Sequence, residues 1–326
     1  MGLTTDQEAK LSQTLQNSSQ ALGIVEDIYE QLLNGNGRAE DIATGIAIHN
    51  NNTEAHSDLR TITNLIERKN EAGDDVAAAH RNIYRGKNMT NVLLLSALST
   101  QLSSGDFSNL YIGDYWTLPV TVDDTTKNIN FRIADFNYWK YQGDTSLTRN
   151  HVVFVPDTPL KNMQMQETNT TVGGVTASLV WTSLQDDLYE AVNAASCMNG
   201  HVLTHRNWFP VTMNPDIQSA AGGGLMGGMV TTAGEWKDVK LGLMSEPMVI
   251  GGTALTSTGY EVECAKTQFA LFRLDPTWIN GRASRCYWWL GAVASSGHFV
   301  YVGGFGLIYA YTASYTHGVR PYFLFS

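Results

Sequence analysis

The stretch "HFVYVGGFGLIYAYTASYTH" (298–317) constrains the fold of this chain more than any other segment. It contains no charged residue, and its aromatic residues alternate with glycine, alanine and threonine. Three structures suit such a pattern: a plain antiparallel hairpin with one face in the core, a membrane-active segment, or a surface that contacts another molecule. The glycine interruptions and the lack of a basic flank argue against membrane activity, and the other two interpretations stay open.

The segments on either side, "RCYWWL" (285–290) and "GVRPYFLF" (318–325), are rich in large apolar residues and have the character of a fixed framework. Framework residues also recur between them: "VASS" (293–296), Phe299, Val302, Gly306 and "AS" (313–314). Seventeen of the intervening positions form a second set, namely Gly291, Ala292, Gly297, His298, Val300, Tyr301, Gly303, Gly304, Phe305, Leu307, Ile308, Tyr309, Tyr311, Thr312, Tyr315, Thr316 and His317. They include no Lys, Glu, Gln, Met or Trp. These five amino acids are the ones that cannot be encoded when only the two adenines of the asparagine codon AAC are changed. A β-region often lacks several of these residues as well.

The composition of the chain describes a globular protein with few charges. Of its 326 residues, 43% are hydrophobic and 16% are charged, and the formal net charge is −10. A phosphate-binding surface needs clustered Lys and Arg, so this charge argues against nucleic acid or an anionic membrane as the main partner. No apolar run reaches the roughly 18 residues of a membrane-spanning helix, and the N-terminal residues do not resemble a secretory signal.

The character of the sequence changes near residue 105. Residues 1–48 predict a helical oligomerisation or attachment segment, and residues 49–104 predict a helical neck. Apolar residues in the first segment follow a heptad spacing at Leu11, Leu15, Ser18, Leu22, Val25, Tyr29 and Leu32. These residues favour a short oligomeric coiled coil, with a pair of ordinary amphipathic helices as the alternative.

Residues 105–326 predict a domain of short strands separated by turn residues. One helix is expected at "TSLQDDLYEAVNAASCM" (182–198), with Thr182 or Ser183 as its cap. Its apolar face would contain Leu184, Leu188, Val192 and Ala195. The predicted fold class is therefore α+β, with a helical arm in front of a strand-rich domain.

A search for catalytic or metal-binding patterns gives little. GxSxG, HExxH and P-loop motifs are absent from the sequence. His201 and His205 are four residues apart, but the strand-like "HVLTH" favours a structural or hydrogen-bonding role over metal binding. "SEPM" (245–248) lacks the Asn that would complete a calcium-dependent sugar motif. We expect no cofactor, no metal and no enzymatic activity.

The three cysteines, Cys197, Cys264 and Cys286, show no metal-binding spacing. Free thiols of a protein made in a reducing cytosol are favoured, and one disulfide plus a spare thiol is the alternative. Cys286 has no histidine near it in sequence, so we expect a buried core thiol and not a nucleophile.

An ordered series of motifs after residue 49 resembles a family of phage and prophage tail proteins. The motifs are "HNNNTEAHSDLR" (49–60), "YRGKNMT" (84–90), "GDFSNLYIGDYWTL" (105–118), "FRIADFNYW" (131–139), "VVFVPDTPL" (152–160), "MQETNTTVGG" (165–174), "HVLTHR" (201–206), "LMSEPMVIGG" (243–252) and the closing "YWWL…GVRP". This family is similar to the variable proteins of diversity-generating retroelements. Residues 1–48 are not covered by the resemblance.

The resemblance implies a C-type lectin-like fold, related to that of formylglycine-generating enzymes, with a variable ligand-binding region at about 285–321. In such proteins, adenine-directed mutagenesis rewrites some positions and leaves a scaffold fixed. The seventeen positions above would be the rewritten, ligand-binding ones. The scaffold would comprise Trp288, Trp289, Leu290, Phe299, Val302, Gly306, Val319, Arg320 and Pro321.

The function that the resemblance implies is host attachment by a phage tail receptor-binding protein. Its partners would be a bacterial surface receptor (glycan or protein), other tail proteins through the N-terminal arm, and copies of itself, a trimer being favoured. We expect neither nucleic-acid binding nor membrane insertion. We expect the protein to be located in the virion after it is made in the host cytoplasm.

The alternative functions are those of a structural tail or head-decoration subunit, or of an enzyme on the formylglycine-generating fold. The enzyme would need a paired redox-active or copper-binding cysteine arrangement, and Cys286 stands alone near the C-terminal end.

Two expectations about side chains follow from these assignments. Arg320 would be a buried guanidinium that bonds backbone carbonyls or an acidic partner such as Asp135. The rings of Tyr301, Tyr309 and other aromatic residues of the stretch would be displayed, so that Tyr301→Ala plus Tyr309→Ala would abolish binding and leave the melting temperature almost unchanged.

Overall fold

The computed structural model describes residues 77, 80–195, 198–213, 231–252, 254–255, 267–282 and 285–326. The chain divides into two units, Met1–Asn70 and Glu71–Ser326, and every described residue belongs to the second. The predicted arm (1–48) and the neck residues 49–76 therefore lie outside the described residues, as does the glycine-rich segment 219–229.

The described unit is a mixed fold of mostly β-sheet with a few short helices, which confirms the predicted α+β class at that level. The strands are β1 (Tyr115–Val122), β2 (Thr125–Phe136), β3 (Val152–Pro156), β4 (Lys161–Gln164), β5 (Val202–Leu203), β6 (His205–Met213), β7 (Thr231–Val239), β8 (Leu241–Leu243), β9 (Trp288–Ser295), β10 (His298–Val302), β11 (Ile308–Thr312), β12 (Thr316–Val319) and β13 (Pro321–Phe325). The α-helices are α1 (Leu95–Ser103), α2 (Leu179–Gln185), α3 (Asp187–Ala194), α4 (Glu246–Ile250) and α5 (Ala270–Leu274). Single 3-10 turns lie at Val175–Ala177 and Pro276–Trp278.

The largest sheet has the order β1-β2-β3-β13-β5, and β8 also pairs with β13. Strands β1 and β2 form a hairpin whose turn residues, Asp123 and Asp124, both have positive φ, the backbone that a two-residue type I′ turn requires. The last strand, "PYFLF", is buried along its whole length. Because it pairs with β3, β5 and β8, the end of the chain holds three separate segments together.

The second sheet contains the stretch 298–317 and has the order β11-β10-β9-β12-β4. Strands β9, β10 and β11 form an antiparallel meander, whereas β12 pairs in parallel with β9 and antiparallel with β4. The chain thus supplies most of this sheet from its last forty residues and one edge from residues 161–164. A third sheet is the hairpin β6-β7.

The core beneath the second sheet is built from the residues expected to be scaffold. Trp288, Trp289 and Phe299 are fully buried. The indole Nε1 of Trp288 donates to the Ile279 carbonyl at 2.9 Å, and that of Trp289 donates to the Met163 carbonyl at 2.9 Å. Large rings with satisfied polar groups give a rigid base, because the apolar area they bury is a main source of fold stability.

Arg320 is fully buried and bonds backbone carbonyls, the first of its two expected kinds of partner. Its Nε donates to the Pro156 carbonyl and its Nη1 to the Trp278 carbonyl, each at 2.8 Å. Burial lowers the pKa of Arg320 to about 10. The suggested partner Asp135 instead accepts a hydrogen bond from Arg81 at 2.9 Å, so that pairing is wrong.

The sequence-based boundary at residue 105 does not coincide with a boundary of the folded unit. Tyr84 and Asn88 form β-bridges with Ile112 and Tyr115. The side chain of Arg85 forms an ion pair with Asp114 at 2.5 Å. Helix α1 is the one helical segment described in the predicted neck between residues 81 and 104, and its leucines are buried in the core. Residues 80–104 therefore belong to the strand-rich unit and not to a separate neck.

The helix expected at 182–198 is present as two shorter helices. Helix α2 begins three residues earlier than predicted, at Leu179, because the hydroxyl of Ser178 accepts the Trp181 N–H at 3.0 Å and caps it. The backbone of Asp186 leaves the helical region (φ −116°, ψ −97°) and separates α2 from α3. The four residues predicted for the apolar face, Leu184, Leu188, Val192 and Ala195, are buried.

Candidate ligand-binding site

A tight turn at residues 303–307 projects from the second sheet. The Gly303 N–H donates to the Leu307 carbonyl and the Gly306 N–H to the Gly303 carbonyl, each at 2.8 Å. Gly306 has φ +79°, a conformation that glycine adopts with little strain. The turn leaves Phe305 73% exposed and Leu307 57% exposed, so two large apolar side chains face solvent.

Strand β11 is an edge strand and carries exposed tyrosines. It pairs with β10 on one side, with Tyr309 opposite Tyr301 and Tyr311 opposite Phe299. Burial alternates along β11, so that Tyr309 and Tyr311 are exposed and their neighbours are half-buried. The alternation follows from the period of two in a strand, which sends successive side chains to opposite faces.

Seven rings of this region form one group, which we call the aromatic cluster: Tyr287, Trp289, Tyr301, Tyr309, Tyr311, Tyr315 and His317. Tyr301 stacks on His317 with ring centroids 4.3 Å apart and an interplanar angle of 19°. Trp289 meets the edge of His317 at 4.6 Å, and Tyr311 contacts Tyr315 at 4.4 Å. Such offset and edge-to-face contacts stabilise aromatic pairs beyond the area they bury.

Beside the aromatic cluster lies an open cleft with a volume of about 650 Å³, which we call the aromatic cleft. Five rings of the cluster, those of Tyr287, Tyr301, Tyr311, Tyr315 and His317, line it. The remaining lining residues are Thr158, Pro159, Asn162, Cys286, Thr316 and Gly318. None of these described lining residues is an Arg, Lys, Asp or Glu, so the cleft combines aromatic faces with neutral polar groups.

His317 forms the floor of the cleft together with Tyr301. It is 7% exposed, and its Nε2 atom has no hydrogen-bond partner. Burial lowers the pKa of His317 to about 4, so the imidazole is neutral at pH 7. Burial also raises the pKa of the Tyr301 hydroxyl. The floor is therefore uncharged at neutral pH.

The seventeen proposed variable residues differ widely in exposure. Six are exposed: Phe305, Leu307, Tyr309, Tyr311, Tyr315 and Thr316. Five are partly exposed: Gly291, Gly297, His298, Ile308 and Thr312. Six are buried: Ala292, Val300, Tyr301, Gly303, Gly304 and His317.

The expectation that the aromatic rings of the stretch are displayed is therefore wrong for Tyr301 and His317, and the positions Ala292, Val300, Gly303 and Gly304 are buried as well. Ala292, Val300 and Tyr301 lie on β9 and β10, which have a neighbouring strand on each side. His317 is covered by the rings that surround it. The exposed members gather on the turn, on β11 and in the chain that leads into β12.

Two glycines of the turn leave little room for a side chain. A Cβ at Gly304 would lie 3.0 Å from the Arg285 carbonyl oxygen, and a Cβ at Gly303 would lie 2.7 Å from the ring of Tyr309. The exposed ring of Tyr309 has space to move, whereas the backbone oxygen is held in place. Position 304 is therefore much less free to vary than position 303.

Sequence reasoning missed several residues of the cleft. Tyr287 was assigned to the fixed framework, yet it is half exposed and lines the cleft. Asn162 enters the cleft because β4 pairs with β12, a contact between residues more than 150 positions apart. Nothing in the local sequence around 158–162 marks it as part of a site.

The other candidate sites have structural explanations. His201 Nδ1 lies 3.0 Å from the Ser326 carbonyl oxygen, and His205 Nε2 lies 2.9 Å from the Tyr322 hydroxyl. The buried Glu246 accepts the Leu255 N–H at 3.0 Å. Within the described ranges, no three His, Cys, Asp or Glu residues are grouped so that they could hold a metal ion.

Cys286 is a free thiol. It is half-buried and lines the cleft, so the expectation of a buried core thiol is wrong. It lies in the loop just before β9, where the chain reaches the surface beside Tyr287. Cys197 and Cys264 lie outside the described residues.

No model of a known protein family, no curated protein and no solved structure matches this chain. Among the residues that the structure describes, no helix is long and apolar enough to cross a membrane.

Proposed function

We propose that this chain is a phage tail receptor-binding protein that attaches to a bacterial surface ligand through the aromatic cleft and the adjoining turn at 303–307. The observation that carries the proposal is the concentration of exposed aromatic and apolar side chains in one short stretch of the chain. Phe305, Leu307, Tyr309, Tyr311 and Tyr315 all lie within eleven residues and are each at least 40% exposed. Exposed groups of this kind mark interaction surfaces, and tyrosine offers a large contact area with few torsions to immobilise.

The core beneath the site supports this role. Trp288, Trp289 and Phe299 are fully buried, and the indole N–H groups of the two tryptophans donate to backbone carbonyls and not to the exposed tyrosines. Changes at the exposed positions would therefore leave the fold in place. Such a division between a fixed base and a changeable surface suits a protein whose ligand specificity is rewritten by a retroelement.

The finer fold assignment and the assembly also belong to this proposal. The sequence resemblance favours a C-type lectin-like fold, and the place of the last strand of the chain inside the largest, antiparallel sheet is compatible with it. The heptads in residues 1–48 favour a homo-oligomer, with a trimer preferred. Several copies of a weak site on one particle would bind a surface firmly through avidity.

A structural tail or head-decoration subunit is the second candidate. Phe305 and Leu307, the most exposed apolar residues of the turn, would also suit a permanent contact with another virion protein. The gene neighbourhood separates the two functions. A receptor-binding protein of this class is expected beside a reverse transcriptase gene and a near-repeat of its own 3′ end, with adenines at the variable codons.

The proposal is tested by cell binding. Fluorescently labelled protein is incubated with a panel of bacterial strains, and bound fluorescence is measured by flow cytometry. We expect binding to at least one strain and its loss in the double variant Tyr311→Ala, Tyr315→Ala. The matched control is Tyr141→Ala, which removes a 61% exposed ring outside the cleft. Binding to no strain, or equal binding by both variants, would contradict the proposal.

A further inference from the structure

The aromatic cleft has a floor and a wall that meet at nearly a right angle. The floor consists of the stacked rings of Tyr301 and His317. The ring of Tyr311 stands at 87° to Tyr301 and at 75° to His317, with Tyr315 packed beside it. A ligand unit in this corner would meet an aromatic face below it and another at its side, which requires a compact shape with apolar faces.

The charges around the cleft do not suit an anionic ligand. Lys161, the cation next to the lining residue Asn162, already pairs with Asp123 at 2.7 Å and lies 3.6 Å from Asp187. Arg320 is buried and bonded to backbone carbonyls. The Arg285 guanidinium lies over the ring of Phe305 at 5.6 Å, on the turn outside the cleft lining. A phosphate or carboxylate in the cleft would therefore find no free cation among the described lining residues.

The polar groups of the cleft are neutral and versatile. Tyrosine and threonine hydroxyls each donate and accept, and the amide of Asn162 does both with different atoms. His317 adds a ring nitrogen without a partner in the protein. Sugar hydroxyls also donate and accept, so they match these groups, while the C–H faces of a sugar ring match the aromatic walls.

We infer that the aromatic cleft binds an uncharged saccharide unit of a bacterial surface polysaccharide. This inference rests on the proposed receptor-binding function and specifies its ligand class. Tyr311 and Tyr315 hold the apolar face of the sugar ring, and Asn162, Thr316 and His317 bond its hydroxyls.

A peptide ligand fits the cleft less well. Strands β9, β10 and β12 beneath it each have neighbours on both sides, so an added strand could pair only with the edge strands β11 and β4 at the two margins of the sheet. Aromatic grooves that bind proline-rich helices belong to a second mode of peptide recognition. Here the Trp289 indole N–H already donates to Met163 and is not available to a ligand carbonyl.

The experiment uses a strain that the full-length protein binds. Its neutral surface polysaccharide and its anionic wall polymer are purified and immobilised separately, and binding of the full chain is measured by biolayer interferometry. We expect saturable binding to the neutral polysaccharide, which is lost when periodate cleaves the vicinal diols of the sugars. Tyr315→Ala should weaken this binding at least tenfold, and the control Tyr141→Ala should leave it unchanged.

The outcomes separate this inference from the proposed function. Binding to the anionic polymer alone, or cell binding that protease removes and periodate spares, would overturn the saccharide inference and leave receptor binding intact. Binding to no strain in the cytometry assay would overturn both. Since Tyr315 is 49% exposed, its variant should fold, and an unchanged melting temperature verifies this.

Discussion

Burial separates the tyrosines of the aromatic cluster into two kinds of residue. Tyr301 is 9% exposed and touches Trp289, His317 and the rings of β11, whereas Tyr309 and Tyr311 project outward from an edge strand. Strand alternation, together with the pairing of Tyr301 opposite Tyr309, places Tyr301, Tyr309 and Tyr311 on one face of the sheet. Tyr301 stacks against His317 on β12 and against Tyr287 just before β9, and these contacts leave little of its ring exposed.

This difference predicts unequal effects of truncation on stability. Tyr301→Ala should lower the free energy of unfolding by about 2–4 kcal/mol, because it leaves a cavity among packed rings. Tyr309→Ala should cost less than about 1 kcal/mol, since much of its side chain is already in water. Urea unfolding of the two single variants measures both values. Because Tyr301 is buried, the double variant Tyr301→Ala plus Tyr309→Ala is now expected to have a lower melting temperature than the unchanged protein. Equal losses in the two single variants would show that Tyr301 is not part of the core.

At the scale of elements, the turn at 303–307 decides how the site is presented. Its backbone depends on Gly306, whose φ of +79° is costly for a residue with a Cβ. The glycines of "GGFG" are enough to predict a turn. The sequence does not predict which of these glycines has a positive φ. That depends on the hydrogen bonds that Gly303 forms with Leu307 and with Gly306.

Gly306→Ala is therefore expected to reduce the free energy of unfolding by about 1 kcal/mol. Its matched control is Gly252→Ala, at a glycine with no positive φ and no atom within 4 Å of the added Cβ. That variant should be neutral or slightly stabilising, because alanine restricts the unfolded chain. Urea unfolding compares the two. A neutral Gly306→Ala variant would contradict the assigned turn geometry.

The elements that form the cleft show what the sequence could and could not predict. The burial of Trp288 and Trp289 followed from their size, and the carbonyl bonds of Arg320 followed from the needs of a buried guanidinium. The position of Asn162 in the cleft could not be predicted from the sequence, because it depends on the pairing of β4 with β12, which joins distant parts of the chain. Local patterns carry no information about such pairings.

At the scale of the whole molecule, buried histidines connect stability to pH, and His151 and His205 are the two least exposed histidines among the described residues. Burial lowers the pKa of His151 to about 4 and that of His205 to about 3, and both histidines are fully or almost fully buried. In the unfolded chain both would titrate near the ordinary value of about 6.5. Folding therefore favours the neutral imidazoles, whose contribution is complete above pH 6.5 and is lost as the pH falls below that value.

We therefore expect the protein to become less stable between pH 6.5 and pH 4. Each of the two histidines should contribute a slope of up to about 1.4 kcal/mol per pH unit in that range. Urea midpoints measured at half-unit steps from pH 7.5 to pH 4.5 give the profile. A profile that is flat, or that rises on acidification, would contradict the neutral buried state of these residues.

The most direct test of the central claim is a footprint of the bound protein. Hydroxyl-radical labelling followed by mass spectrometry compares the full-length protein free in solution and bound to a receptive bacterial strain. We predict several-fold protection of Tyr311, Tyr315 and Phe305 on binding, with Tyr141 labelled equally in both states. Protection elsewhere, with these three residues labelled as in the free protein, would show that the aromatic cleft is not the surface that meets the host.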